Sequence, residues 1–160
     1  MTAPDTHQPL HAMTLALANS IIAATLEAAA AAGSKPLTVA VLDAGGVPAA
    51  LARQDGCGNA RPRLSIAKAE ACLALHMPTR TLAAFNAAQP AAHALLREII
   101  DNSLVPLAGG VLIRDGQGRV IGAAGVSGGD LAQEEDMLIA AIAGCGCAPD
   151  PATLNAQAQP

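Results

Sequence analysis

Tryptophan and tyrosine are absent from this chain, and its 160 residues contain a single phenylalanine, Phe85. Proteins that hold single-stranded nucleic acid stack its bases on aromatic rings, and no such platform can be assembled here. Positive charge is not in excess either: nine Lys and Arg stand against thirteen Asp and Glu, for a formal net charge of −4. A phosphate-binding surface needs clustered cations, whereas these nine are scattered, so nucleic acid is excluded as a partner. No long hydrophobic run occurs. The longest apolar stretch, residues 21–32, is mostly alanine, is interrupted by Thr25 and Glu27, and is too weakly hydrophobic to span a bilayer. Residues 1–8 lack the basic start and continuous apolar segment of a secretory signal. The four cysteines, Cys57, Cys72, Cys145 and Cys147, form neither paired C-x-x-C knuckles nor a disulfide framework. Free thiols without a metal, in a cytoplasmic protein that does not engage membranes, are expected.

What is present is enough for one core. The length suits a single domain. Apolar residues make up 52% and charged residues 14%, a high ratio for a monomer that must solvate its whole surface. Self-association, as a dimer or larger homo-oligomer, is therefore expected to cover part of it. Residues 1–12 and 148–160 are rich in Pro, Gln, Ala and Thr without periodicity, and read as flexible tails around a domain at 13–147.

Between the tails, Thr14 is placed to cap a helix whose apolar positions Leu15, Ala18, Ile22, Leu26 and Ala29 recur at helical steps until Gly33 and Pro36. Residues 37–42 and 47–53 flank Ala44-Gly45-Gly46 and read as a hairpin. Helical spacing returns over 61–75 and is broken by Pro78, with shorter helical pieces at 79–85 and 90–100. A second hairpin is built from Val111-Leu112-Ile113, a turn at 115–118, and residues 120–126. Asp130 and Gln133 form a capping box for a last helix over 131–143 that stops at Gly144. Hairpins preceded and followed by helices predict an α+β fold, with helices packed on the faces of one sheet.

Several of these stretches carry a resemblance. Val39-Ala40-Val41-Leu42-Asp43-Ala44-Gly45-Gly46, continued by Leu51-Ala52-Arg53-Gln54-Asp55-Gly56, resembles the first signature of the GlcG/HbpS family, the haem-degrading domain family. Ile66-Ala67-Lys68-Ala69, with Thr79 and Leu82, is similar to its central helix. Gly109-Gly110-Val111-Leu112-Ile113, with residues 121–128, is similar to its last hairpin. Order and spacing agree over roughly residues 13–144. Where many relatives carry a polar or histidine residue after the glycine turn, this chain has Val47-Pro48. The resemblance implies a profilin-like fold, a five-stranded antiparallel sheet with helices on both faces, assembled into dimers or higher oligomers. It also implies a small ligand, with haem as the candidate cofactor, but it fixes no reaction.

Haem needs an axial donor, an apolar slot and cations for its propionates. The histidines are His7 and His11 near the start, His76 at the end of the central helix, and His93. His76 is the candidate ligand-binding residue among them, and it can equally stabilise its helix as a cation at the C-terminus. Arg53 and Lys68 could clamp a carboxylate, or could pair with Asp55 or Glu70. Ser127 and Gly128 lead into the last helix, where backbone N–H groups could hold an anion. Asp43 is either an acid/base group or a turn former. Glu134, Glu135 and Asp136 fit a solvated helix face, unless one of them, Glu135, acts as a general base.

Three readings follow: a binding or accessory protein for haem or a related tetrapyrrole; a cofactor-independent hydratase, isomerase or deaminase acting on a small unsaturated acid or imine of a catabolic pathway; or a module whose role is assembly alone. In the second, Arg53 and Lys68 hold the carboxylate, and Asp43 or Glu135 moves the proton.

Overall fold

The computed structural model describes residues 13–100 and 104–154. Its first helix, α1 (Leu15–Ala31), starts where the Leu17 amide donates to Thr14 Oγ1 at 3.1 Å. Along it, Ala18, Ile21, Ile22, Thr25 and Ala29 are buried, and the Thr25 hydroxyl donates to the Ile21 carbonyl at 2.8 Å. The hairpin β1 (Thr38–Asp43) and β2 (Pro48–Arg53) follows, then α2 (Arg61–Leu75), α3 (Thr79–Ala88) and α4 (Pro90–Ile99). A second hairpin, β3 (Gly110–Arg114) and β4 (Val120–Ser127), leads to α5 (Leu131–Gly144) and β5 (Ala148–Asp150).

The strands form one sheet in the order β2-β1-β4-β3-β5, and every pairing is antiparallel. The central pairing sets Val39 opposite Val126 and Val41 opposite Ala124. Residues 148–150, expected within a C-terminal tail, instead pair with β3. Arg114 Nη2 reaches Asp150 Oδ2 at 2.8 Å and holds them there. Pro149 is tolerated because β5 lies at the edge of the sheet, where a missing N–H breaks no inner ladder.

Both faces of the sheet are covered, which is why β1 reads as a continuous apolar run rather than an alternating one. Val39, Val41, Val111, Ile113, Ala124 and Val126 face α1 and α5, meeting Ile21, Ile22, Leu138 and Ile142. Ala40, Leu42, Leu112 and Ala123 face α2, meeting Ala69 and Cys72. The α2 side is lined by small residues because the helix lies close to β4: a Cβ on Gly125 would collide with the Ser65 carbonyl. A third, smaller cluster forms where α3 and α4 fold against the end of α2, with Ala71, Leu82 and Leu104 at its centre and Leu75, Met77, Phe85, Leu96 and Ile100 around them.

The two hairpin turns are built alike. Asp43 Oδ1 accepts from the amides of Gly45 and Val47, at 2.9 and 3.0 Å. Asp115 Oδ1 accepts from those of Gln117 and Arg119 at the same distances. Each turn then needs a left-handed residue three positions after the aspartate, and Gly46 (φ 81) and Gly118 (φ 79) supply it without the steric cost a side chain would incur.

Candidate functional site

The strongest concentration of charge lies at the end of the sheet where β3 starts and β4 ends. Lys68, on α2, is 1% exposed. Its Nζ donates to the Val126 carbonyl at 2.7 Å and to Glu134 Oε1 at 3.0 Å. The other oxygen of Glu134 accepts from the Gly129 amide at 2.9 Å. One position further along α5, Glu135 Oε1 accepts from the Gly109 amide at 3.1 Å, and its Oε2 from Arg80 Nε at 2.8 Å. Arg80 Nη2 also lies 2.8 Å from Oε2 in an ion pair, and has no hydrogen-bond partner. Arg80 Nη1 donates to the Thr153 carbonyl at 2.9 Å.

Consecutive carboxylates of α5 thus join the helices on the opposite face, passing round the end of the sheet. The backbone is shaped to the junction: a Cβ on Gly109 would lie 2.7 Å from Lys68 Nζ. Burial pulls the Lys68 ammonium below the ordinary lysine range, while Glu134 and then Glu135 push back. A lysine with a lowered pKa can be a nucleophile. Here Nζ is sealed and both bonds it makes are internal, so the junction is an interior polar network. These facts overturn the expected solvated face for Glu134 and Glu135, and they replace Glu70 by Glu134 as the partner of Lys68. The physical reason is position: α5 packs against the sheet through this very turn, so its first carboxylates are buried and must find cations.

The remaining candidates do not converge. Asp43 holds the first hairpin turn. Arg53 is exposed on β2 and donates to the Cys57 carbonyl at 3.2 Å, whereas Lys68 is buried against α5. With Ser34, Pro36, Gln54 and Asp55 it lines an open depression of about 490 Å³. Ser127 is buried, and its Oγ accepts from Arg61 Nη1 at 3.2 Å. Gly128 lies against the Pro36 carbonyl with no room for a Cβ, so the backbone leading to α5 is packed rather than open, and Asp130 already caps the helix through the amides of Ala132 and Gln133. His76 is exposed and ends α2 in the left-handed conformation, φ 54. His7 and His11 lie outside the described residues. All four cysteines are free thiols. Burial pushes the Cys72 thiol far up, which removes it as a nucleophile. Among the described residues no group of His, Cys, Asp and Glu side chains could hold a metal ion.

Sequence reasoning missed Arg80 altogether, and nothing local marks it. It underweighted His93, which α4 buries to 4% exposure and whose Nε2 has no hydrogen-bond partner. A signal for it exists: His93, Leu96 and Ile100 recur at helical spacing, which puts the imidazole on the apolar stripe of α4.

Sheet order, two-sided helical cover and an interior polar junction together define a class: small α+β domains built on one five-stranded antiparallel sheet with a buried charge network at its end. Within that class the chain belongs to the HbpS-like haem-degrading protein family, whose sequence profile matches residues 13–143. The crystal structure of a PduOC–haem complex is similar to it with a TM-score of 0.73 and 27% identity, covering 82% of this chain and 94% of that one. Protein ORFY of Klebsiella pneumoniae is similar with a TM-score of 0.73 and 26% identity, over 90% of this chain and 97% of that one. A double mutant of HbpS from Streptomyces reticuli gives a TM-score of 0.72 and 28% identity, over 89% and 92%. No curated protein matches the sequence.

Proposed function

We propose that this chain binds haem or a related tetrapyrrole as a binding or accessory protein, and that it does so as a homo-oligomer. The observation that carries the reading is the likeness to PduOC, 94% of which is covered and which crystallised as a haem complex. The residues of this chain fit such a ligand. An apolar macrocycle needs apolar surroundings, and the packed cluster around Leu82, Phe85, Leu96 and Leu104 would supply them once opened. Iron needs a donor atom, and the one buried histidine nitrogen without a partner, His93 Nε2, belongs to the helix that lines that cluster. When bound, haem would supply the redox and gas-binding chemistry of its iron.

The binding reading is preferred to the enzymatic one because the proposed proton carriers are already engaged: Asp43 with its turn amides and Glu135 with Arg80 and Gly109. Self-association is supported by large apolar side chains that stay exposed, Leu15, Val47, Leu51, Leu95 and Ile99 among them. Free thiols favour a reducing, cytoplasmic setting, and no helix among the described residues is long and apolar enough to cross a membrane.

Titrating the purified apoprotein with hemin tests the reading. A Soret shift that saturates at a fixed ratio per chain is expected; an unshifted spectrum without saturation would reject it. Light scattering on the same sample should give a mass above that of one chain.

A further inference from the structure

We infer that His93 Nε2 is the atom that ligates the haem iron, and that α4 must part from α3 to deliver it; this rests on the haem reading above. The argument starts from an accounting of buried polar groups. Thr25, Thr38, Ser65, Lys68, Thr79, Ser127, Glu134 and Glu135 are all buried, and each has a hydrogen-bond partner. His93 is buried to the same degree, and its Nε2 has none. An unpaired buried nitrogen costs stability, and native folds keep such groups rarely. A metal bond is one interaction that would satisfy it, since neutral imidazole is an iron ligand.

The surroundings agree with a porphyrin rather than a bare ion. Among the described residues His93 belongs to no group of three or more His, Cys, Asp and Glu side chains that could hold a metal ion, so a metal here would have to arrive with most of its ligands already in place, as iron does in haem. The neighbouring cluster is apolar, with Phe85 for ring contact and Met77 at its rim. Arg97 stands one turn after His93, on the same side of α4, and offers a cation for a propionate. The other described histidine, His76, is exposed at a helix end with no apolar enclosure.

The attachment of α4 makes access physically reasonable. Among the described elements its backbone comes close to α3 alone, with Leu96 reaching into the cluster shared with Ala71 of α2 and Leu104, and its outer side carries Leu95 and Ile99, 58% and 70% exposed. A helix apolar on both sides, with one close backbone neighbour and a single small cluster to leave, can exchange those contacts for a flat apolar ligand at small net loss of buried area. Elements that open for ligands are drawn from such weakly held parts of a fold.

The test uses the full chain and hemin. Wild type should give the spectrum of histidine-ligated haem, and adding haem should change amide hydrogen exchange in residues 90–99 more than in α2. His93→Ala should lose that spectrum and bind at least about tenfold more weakly, since even an outer-shell change costs a metal site that much. Free imidazole should restore the wild-type band by entering the vacated space. His93→Gln, which keeps the bulk of the side chain, serves in the same way should the alanine variant unfold. The assignment is overturned if wild type binds hemin and His93→Ala or His93→Gln binds it with unchanged spectrum and affinity, or if His76→Ala loses the band and the His93 variants keep it. Absence of hemin binding by wild type instead removes the haem reading itself, and the assignment with it.

Discussion

At the junction at the end of the sheet and in the corner made by α3 and α4, polar side chains are buried in similarly dry surroundings but on different terms. In the junction, Lys68 and Glu134 use their charges on each other and on backbone groups of Val126 and Gly129, and Arg80 and Glu135 repeat the arrangement with Gly109 and Thr153. In the corner, His93 is enclosed with one nitrogen unmatched. Burial and charge would have marked the junction as the functional site. Matching donors to acceptors reverses the ranking: the one junction atom without a hydrogen bond, Arg80 Nη2, still lies in an ion pair with Glu135, whereas His93 Nε2 has neither, and an unmatched group is the one with something left to offer a ligand.

The difference can be broken most forcefully at Lys68. Lys68→Met leaves the Glu134 carboxyl buried beside an apolar side chain without its cation, and should lower unfolding stability by about 3–5 kcal/mol in urea titrations. Adding Glu134→Leu should recover most of that loss, since replacing both partners of a buried pair by apolar residues is often neutral. If the double variant is as unstable as the single, the junction is holding the fold through something other than charge matching. Lys68 also has a pH signature. Burial makes its folded-state pKa lower than its unfolded one, so between the two values the unfolded chain holds more protons. Stability therefore rises with pH across that window, and wild type should gain on Lys68→Met as pH climbs toward the ordinary lysine range.

Arg80→Met should cost less, about 1–3 kcal/mol, because Arg80 is 21% exposed and water can reach the carboxylate it abandons. Equal losses at Arg80 and Lys68 would show that solvent does not reach Glu135. The corner predicts the opposite sign. His93→Leu removes an unmatched nitrogen and fills the site with carbon, so the apoprotein should become more stable by about 1 kcal/mol while hemin ligation is lost. A gain in stability paired with a loss of binding is what a functional group kept at a structural cost should show. A loss of stability on that change would mean the imidazole is matched by a contact of its own.

Most of the fold was legible because its signals are local. The capped starts at Thr14 and Asp130, the proline opening α4, and the glycine-marked hairpins each fix an element within a few residues of sequence. β5 was not legible, since Ala148-Pro149-Asp150 contains no strand former; it is a strand because β3 has an open edge and Arg114 reaches Asp150. The junction was half legible. Lys68 stands alone among Ala67, Ala69 and Ala71, which hints at a buried cation, but Glu134-Glu135-Asp136 looks like any solvated helix face, and Arg80 has no local mark. What buries them is the meeting of α2, α3 and α5 round the sheet end, a relation between residues more than 50 positions apart in the chain. His93 was visible as a member of the α4 stripe, but its missing partner is a property of three-dimensional packing.

The smallest effect belongs to Asp43, and it separates turn formation from chemistry. The second hairpin repeats the turn with Asp115 in the same role and the same bond lengths, which a residue selected for proton transfer has no reason to share. Asp43→Ala should therefore cost about 0.5–1.5 kcal/mol, the worth of the hydrogen bonds lost from a partly exposed turn, and Asp43→Asn should recover part of it, because an amide oxygen can still accept from the Gly45 and Val47 amides. Hemin affinity should be unaffected in both variants. If Asp43→Asn keeps full stability yet loses ligand binding, the carboxylate has a duty beyond the turn, and the likeness of the two hairpins is geometric only.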